Sequence, residues 1–433
     1  MALVLKDARV LDTVGKLVTL ASIRIEDGRI AAVGEASVRG GDEVVDCEGR
    51  FAIPGLMDMH IHLRGSGEKG PMPQDDGERA PTREQEDRER RSRLHSYLYC
   101  GVTSLYDAGN DPDMMLPLRR AERAGEILSP RIFCTGSLLT CPEGHAWQLG
   151  HARQISSLPA DLPILEQFLL SDPDIVKITY DEHNWGVRPL IPILSPQTLR
   201  QIIAFCHERM RRVTVHASNE LRAREAVDAG ADTLAHPVIQ SPASDAFTWL
   251  LAQRRLPVLS TLAIGERYSR LGKHPEFLDQ EPYVTCLSEQ ERRHLGTVES
   301  ERQRGDRWAA WMEVMTPVAQ ENVRRLVEAG GTLVTGTDLS LGPDYLRELE
   351  LLQDAGIEPW DVLRAATHNG GIFLDRANEL GDIAPSRAAD IVLLDADPTQ
   401  DVRNVSRIWR VLKGGEQVDR DALELPGAPA ARG

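Results

Sequence analysis

The hydrophobic pattern changes character twice along the chain. Over residues 3–50 it consists of short runs of alternating apolar and polar positions broken by turns. Runs 3–10, 22–26 and 29–33 have strand composition, and Asp27-Gly28 is a hairpin signal. Near the other end, 389–395 and 408–413 have the same character, followed by Gly414-Gly415. The two flanks are expected to pair into one small β-domain made of 1–52 and 384–425. Between them, over 53–383, short apolar runs alternate with polar junctions and amphipathic helical stretches such as 199–211 and 319–328. Eight candidate strands stand out, at 51–62, 102–107, 131–138, 175–180, 213–217, 232–236, 257–263 and 332–337. An alternating βα series of eight strands is the pattern of a closed parallel barrel. The expected fold class is therefore α/β: a (β/α)8 TIM barrel with a small β-sandwich built from both chain ends.

Two connections are long, 64–94 after the first strand and 264–318 after the seventh. Both follow strands, on the face where barrel enzymes build their pockets, and each is expected either to cover the mouth or to decorate the surface. The charge run at 83–93 mixes signs, as a solvated helix face does. The tail 427–433 is expected to be mobile.

Composition narrows the partners. Hydrophobic residues make up 41% and charged residues 27%, enough for a sizeable core, and the formal net charge of −16 disfavours nucleic acid or an anionic membrane surface. A small molecule is the expected partner; a homo-oligomer is left open. Cys47, Cys100, Cys134, Cys141, Cys206 and Cys286 form no CxxC pair and are expected to be reduced thiols. With no signal-peptide pattern and no long apolar run, a cytoplasmic location is expected.

The chemistry concentrates at strand ends. In Pro54-Gly55-Leu56-Met57-Asp58-Met59-His60-Ile61-His62 the two histidines stand at i and i+2, so on a strand both face the barrel interior. His216 ends the fifth candidate strand, His236 the sixth, and Asp338 the eighth, while Lys177 sits within the fourth. All would converge on one mouth. Four imidazoles and a carboxylate suit zinc, manganese, cobalt or iron better than calcium or magnesium.

On these residues the chain resembles the amidohydrolase superfamily over nearly its whole length, specifically its imidazolonepropionase-like and prolidase-like branch. The run 54–62 matches that family's opening motif. His216, His236 and Asp338 match its later strand-borne ligands. The stretch GDIAPSRAADIVLLD, from Gly381 to Asp395, matches its closing motif, with Ser386 where the family usually has Gly. The resemblance implies a binuclear centre with two divalent metal ions, zinc foremost and manganese, cobalt or iron as alternatives. His60, His62 and Asp338 would hold one ion, His216 and His236 the other, and Lys177, N-carboxylated by CO2, would bridge them. A metal-bound hydroxide would attack the substrate, and Asp338 would relay its proton. His145, in Cys141-Pro-Glu-Gly-His145, is matched to a Gly-His segment of that branch and is expected to act on substrate; Tyr180, His183 and Trp185 are expected to line the pocket.

The expected reaction is hydrolysis of an amide-type C–N bond in an N-acyl, peptide-like or cyclic amide small molecule. Ester, lactone or phosphotriester hydrolysis on the same centre is the alternative. A dipeptidase is less well matched, since relatives of that kind often carry a Tyr soon after the fifth-strand histidine, where this chain has Ala217, Ser218 and Asn219. A mononuclear deaminase would show Glu at the position of Asn219 and would leave Lys177 without a role. A non-catalytic scaffold would lack ligands that this chain retains.

Overall fold

The computed structural model describes residues 2–35, 38–63, 82–183 and 190–428. Eight parallel strands form the barrel: β1 (Leu56–Ile61), β2 (Val102–Asp107), β3 (Arg131–Cys134), β4 (Val176–Thr179), β5 (Val213–His216), β6 (Thr233–Leu234), β7 (Val258–Leu259) and β8 (Leu333–Val334). Ladders join β1–β2–β3 and β4 through β8. Hydrogen bonds outside these ladders close the two seams. The Met59 N–H donates to the Thr335 carbonyl at 3.0 Å, linking β1 to the end of β8, and the Asp174 N–H donates to the Cys134 carbonyl at 2.9 Å, linking β3 to the approach to β4.

Every residue of these strands except Arg131 and Phe133 is buried, as expected where both faces of a parallel sheet are covered. Some of the helices outside them start on polar caps: Ser195 accepts from the Thr198 N–H ahead of Pro196–His207, and Ser244 from the Phe247 N–H ahead of Asp245–Gln253.

Both chain ends build one eight-stranded sheet. Its order is Glu416–Val418, Ile408–Lys413, Ile391–Leu394, Phe51–Pro54, Leu3–Asp12, Leu17–Glu26 and Arg29–Gly34, with Glu43–Asp46 added beside Leu3–Asp12. A register shift between Leu5 and Ala8 lets the first half of Leu3–Asp12 pair with Glu43–Asp46 and the second half with Phe51–Pro54. The sheet encloses a core of its own, with Leu5, Ile23, Ile25, Ile30, Ile391 and Leu393 fully buried. The Asp27-Gly28 hairpin turn is present, with positive φ at both residues. Ser386 adopts φ 72°, the left-handed conformation that suits the Gly usual at that place in the family motif.

Several expected boundaries move. The run 51–62 is two strands parted at Gly55, where a Cβ would fall 2.1 Å from Thr103 Oγ1. The runs 131–138 and 257–263 hold strands of only four and two residues at their fronts. The long connection after β7 is helical, including Leu262–Lys273, Ser300–Gly305 and Arg307–Glu328. Leu271, Phe277, Tyr283, Cys286 and Met312 of this connection join the main core, so it is no surface ornament. The charge run lies in the helix Arg83–Tyr99, whose Arg90 is buried and paired with Glu86 and Asp87, so that face is only partly solvated. Residues 64–81 of the first connection and 429–433 of the tail lie outside the described residues. Gly427 is tied down by its N–H to the Thr285 carbonyl. All six cysteines are free and buried. Among the described residues no helix is long and apolar enough to cross a membrane.

Barrel and end sheet meet at Asp390. Its carboxylate takes two hydrogen bonds from Arg131 of β3, at 2.7 and 3.0 Å, and one from the Gly414 N–H at 2.6 Å, while its carbonyl accepts from the Gly55 N–H at 2.8 Å. Asp390→Ala strands a guanidinium and a backbone donor, and is expected to cost about 2–4 kcal/mol in urea unfolding. Asp390→Asn, which keeps an acceptor, is expected to cost less.

Candidate metal centre

Strand parity and one close backbone approach assemble the centre. His60 and His62 leave β1 on the same face. Just beyond β8, Gly336 packs so tightly that a Cβ there would lie 2.7 Å from the Cβ of His60. The backbone then turns, with Asp338 at φ 57°, and the N–H groups of Thr337 and Asp338 donate to the His60 carbonyl at 3.1 and 2.7 Å. This brings the Asp338 carboxylate within 3.1 Å of His62 Nε2 and 3.6 Å of His60 Nε2. The donor atoms of His60, His62 and Asp338 all lie within 4.8 Å of one another.

The other expected ligands join them. His236 stands 4.6 Å from the His60 ring, His216 stands 4.5 Å from His236, and His145 stacks on His216 at 4.3 Å. Lys177 Nζ is 3.2 Å from His60 Nε2. Each imidazole expected as a ligand has one ring nitrogen on an oxygen: His60 Nδ1 on the Ala235 carbonyl (3.0 Å), His62 Nδ1 on the Gly109 carbonyl (2.7 Å), His236 Nδ1 on Thr261 Oγ1 (2.9 Å) and His216 Nε2 on Asp181 (3.1 Å). Such outer partners orient metal-binding imidazoles and raise their basicity.

Burial sets the protonation states. It holds the His60, His216 and His236 imidazoles below their ordinary pKa, so their lone pairs are available at neutral pH. Burial likewise pushes Lys177 down to about 8, against the pull of Asp338 and Asp107. For Asp338, burial works upward but is outweighed by His60, His62 and Lys177, which keep its carboxyl well below the usual range. Neutral imidazoles and an ionised carboxylate form a donor set suited to borderline divalent cations, beside a lysine with a minor neutral fraction at pH 7.

Buried carboxylates brace the frame. Asp58 accepts from the Thr337 N–H (3.0 Å) and hydroxyl (2.7 Å) and from the His60 N–H (3.3 Å), pinning β1 to β8. Asp107 accepts from the N–H groups of Leu63 and Gly109, the latter supplying the carbonyl that holds His62. Glu348 accepts from the Ser260 hydroxyl and from the N–H groups of Leu262 (3.1 Å) and Ala263 (2.6 Å). It thereby starts the helix Leu262–Lys273 and ends the seventh candidate strand early, beside the Thr261 that holds His236.

Three expected pocket residues fare differently. Tyr180 is corrected: its phenol is buried in the core behind β4 and donates to Glu225 at 2.7 Å, because at three positions from Lys177 it falls on the opposite face of the strand. The His183 ring lies 3.8 Å from Glu182, and it is the His183 backbone N–H that reaches Asp181, at 2.9 Å. Trp185 lies outside the described residues. Sequence reasoning missed Asp181, although 177, 179 and 181 share one parity. It also missed Thr261 and Glu348, which only the fold brings near His236.

The chain matches the amidohydrolase family over residues 51–418. It is 21% identical to the imidazolonepropionase of Thermoanaerobacter pseudethanolicus over 415 residues, covering 87% of this chain and 84% of that one. A dihydroorotase of Elusimicrobium minutum is 40% identical over 70 residues, so the alignment spans only 16% of either chain. The structure superposes on that of a prolidase complexed with N-methylphosphonate-L-proline with a TM-score of 0.76 at 22% identity, covering 96% of this chain and 99% of the other.

Glu348 gives the centre a pH signature. Burial raises its carboxyl from 4.5 to about 7, against the three donors that favour the anion. The folded chain therefore holds a proton that the unfolded chain releases between pH 4.5 and about 7, and its stability falls as pH rises through that window. Glu348→Gln is expected to remove this fall, up to about 3 kcal/mol across the window, when urea unfolding of both proteins is compared from pH 4.5 to 7.5.

Proposed function

Since the chain belongs to the amidohydrolase family, we propose that it hydrolyses an amide-type C–N bond in an N-acyl, peptide-like or cyclic amide small molecule, using two divalent metal ions, zinc foremost. The observation that carries this reading is the convergence of His60, His62, His216, His236, Lys177 and Asp338, with one ring nitrogen of each imidazole already held by an oxygen.

His60, His62 and Asp338 would hold one ion, and His216 and His236 the other. Two imidazoles alone are a sparse set for the second ion, and Lys177 supplies the missing ligand once carboxylated. An ammonium has no lone pair, so the reaction needs the neutral amine. With the lysine near 8, about a tenth is neutral at pH 7. The amine nitrogen attacks CO2, a C–N bond forms, a proton leaves, and the carbamate oxygens become donors. Metal ions held by these residues would supply Lewis acidity for the scissile carbonyl and for a water molecule.

Asp338, kept ionised by its histidine and lysine neighbours, takes the proton of the attacking water and delivers it to the leaving nitrogen. His145, stacked on His216 and anchored by its carbonyl to the hydroxyls of Thr140 (2.9 Å) and Thr179 (3.1 Å), is placed to donate to the substrate oxygen as charge builds on it. Deamination has less support, because Asn219 is engaged as the cap of Glu220–Ala229, accepting from the Arg222 N–H at 3.0 Å.

Elemental analysis of protein expressed with bicarbonate is expected to find about two ions per chain in the wild type and a sharp drop in Lys177→Ala. Chelation should abolish hydrolysis of N-acyl amino acids or cyclic amides, and metal should restore it. One ion in both proteins would return Lys177 to a structural role and favour deamination.

A further inference from the structure

We propose that Asp181 is the positioning residue of the second metal site, fixing His216 so that its Nδ1 faces the ion. The assignment rests on the two-metal reading above.

The four ligand imidazoles are not held alike. In His60, His62 and His236 the nitrogen on an oxygen partner is Nδ1, which leaves Nε2 to bind metal. In His216 the order is reversed: Nε2 lies 3.1 Å from Asp181 Oδ2, so on this assignment Nδ1 is the nitrogen that would bind the ion. This partner also differs in kind. The other three are two backbone carbonyls and a hydroxyl, whereas Asp181 is a carboxylate, and both side chains are buried, with relative exposures of 0% and 3%. A carboxylate accepting the far N–H of an imidazole fixes its tautomer and raises the basicity of the metal-binding nitrogen.

Asp181 is itself held in place. Its Oδ1 accepts from the His183 N–H at 2.9 Å. Lys177, Thr179 and Asp181 stand at alternate positions along and just beyond β4, so the residue proposed to bridge the ions and the one orienting His216 leave the same face. The His216 ring has His145 stacked on one side and the His236 ring edge-on at 4.5 Å. Stacking fixes the plane of the imidazole, and Asp181 fixes its rotation within that plane. The second site has two imidazoles and no counterpart of the Asp338 carboxylate, so the basicity of each imidazole weighs more in its affinity.

The test uses full-length protein equilibrated with chelator-buffered zinc, comparing wild type, Asp181→Ala and Asp181→Asn by metal content. A second readout is the 15N spectrum of labelled histidine, with the His216 signals assigned by His216→Ala. The expected result is two ions in the wild type, one of them bound about 10–100-fold more weakly in Asp181→Ala, and an intermediate loss in Asp181→Asn, which keeps an oxygen acceptor without the charge. In the wild type, His216 should carry its proton on Nε2 and its metal on Nδ1. Two ions held by Asp181→Ala with wild-type affinity would overturn the assignment alone. So would metallated Nε2 in the wild type, which would make Asp181 a competing ligand. Loss of both ions in a variant with an unchanged melting temperature would overturn it too. A single ion in the wild type would overturn the two-metal reading and this assignment with it.

Discussion

The centre depends on removing polar groups from water where each can find an oxygen or a charge to answer it. His60, Lys177, His216 and His236 all have relative exposures of 2% or less. Uncompensated, such groups would cost several kcal/mol each. Here the histidines have their acceptors and Asp338 has its cationic and imidazole neighbours, and the same loss of solvent that would destabilise isolated groups makes these ones strong donors. Desolvation keeps the imidazoles neutral and loosens the proton of the amine, while local charge keeps the carboxylate ionised. The arrangement is poised for cations because both effects act in one small volume.

That volume is framed by acidic side chains outside the His60–His62–Asp338 group. Asp58 ties the first strand to the last, Asp107 secures the turn that holds His62, and Glu348 starts a helix beside the threonine that holds His236. Two of these carboxyls, Asp58 and Glu348, are raised by burial, and Glu348 sits near neutrality. The frame thus combines well-satisfied hydrogen bonding with a titratable group inside the physiological range.

Much of this was legible in the sequence because barrels repeat. A strand shows its facing by parity, and a ligand at a strand's end shows where the mouth lies; His60, His62, His216, His236, Lys177 and Asp338 needed no more than that. The same rule, applied one step further, reads Asp181 and rejects Tyr180: residues four and three from Lys177 fall on opposite faces. What could not be read were contacts between distant elements. Glu348 is 86 residues from the Leu262 whose N–H it accepts, and no local pattern marks it. The short helices between Leu262 and Gly305 were hidden for another reason, since segments of four to six residues display too little periodicity to distinguish helix from loop.

The end sheet has a consequence for biosynthesis. Phe51–Pro54 lies between Leu3–Asp12 and Ile391–Leu394, with Pro54 opposite Ile391. On the ribosome, about 340 residues must follow Pro54 before its second neighbour exists, which at roughly 5–20 residues per second is on the order of 17 to 70 s. During that interval the nascent chain carries a strand with one bare edge, of the kind that pairs readily with other chains. The barrel in between supplies Arg131, the partner of Asp390, well before Asp390 itself emerges. Strand Ile391–Leu394 therefore docks onto a receptor synthesised well before it, and closure of the sheet comes late.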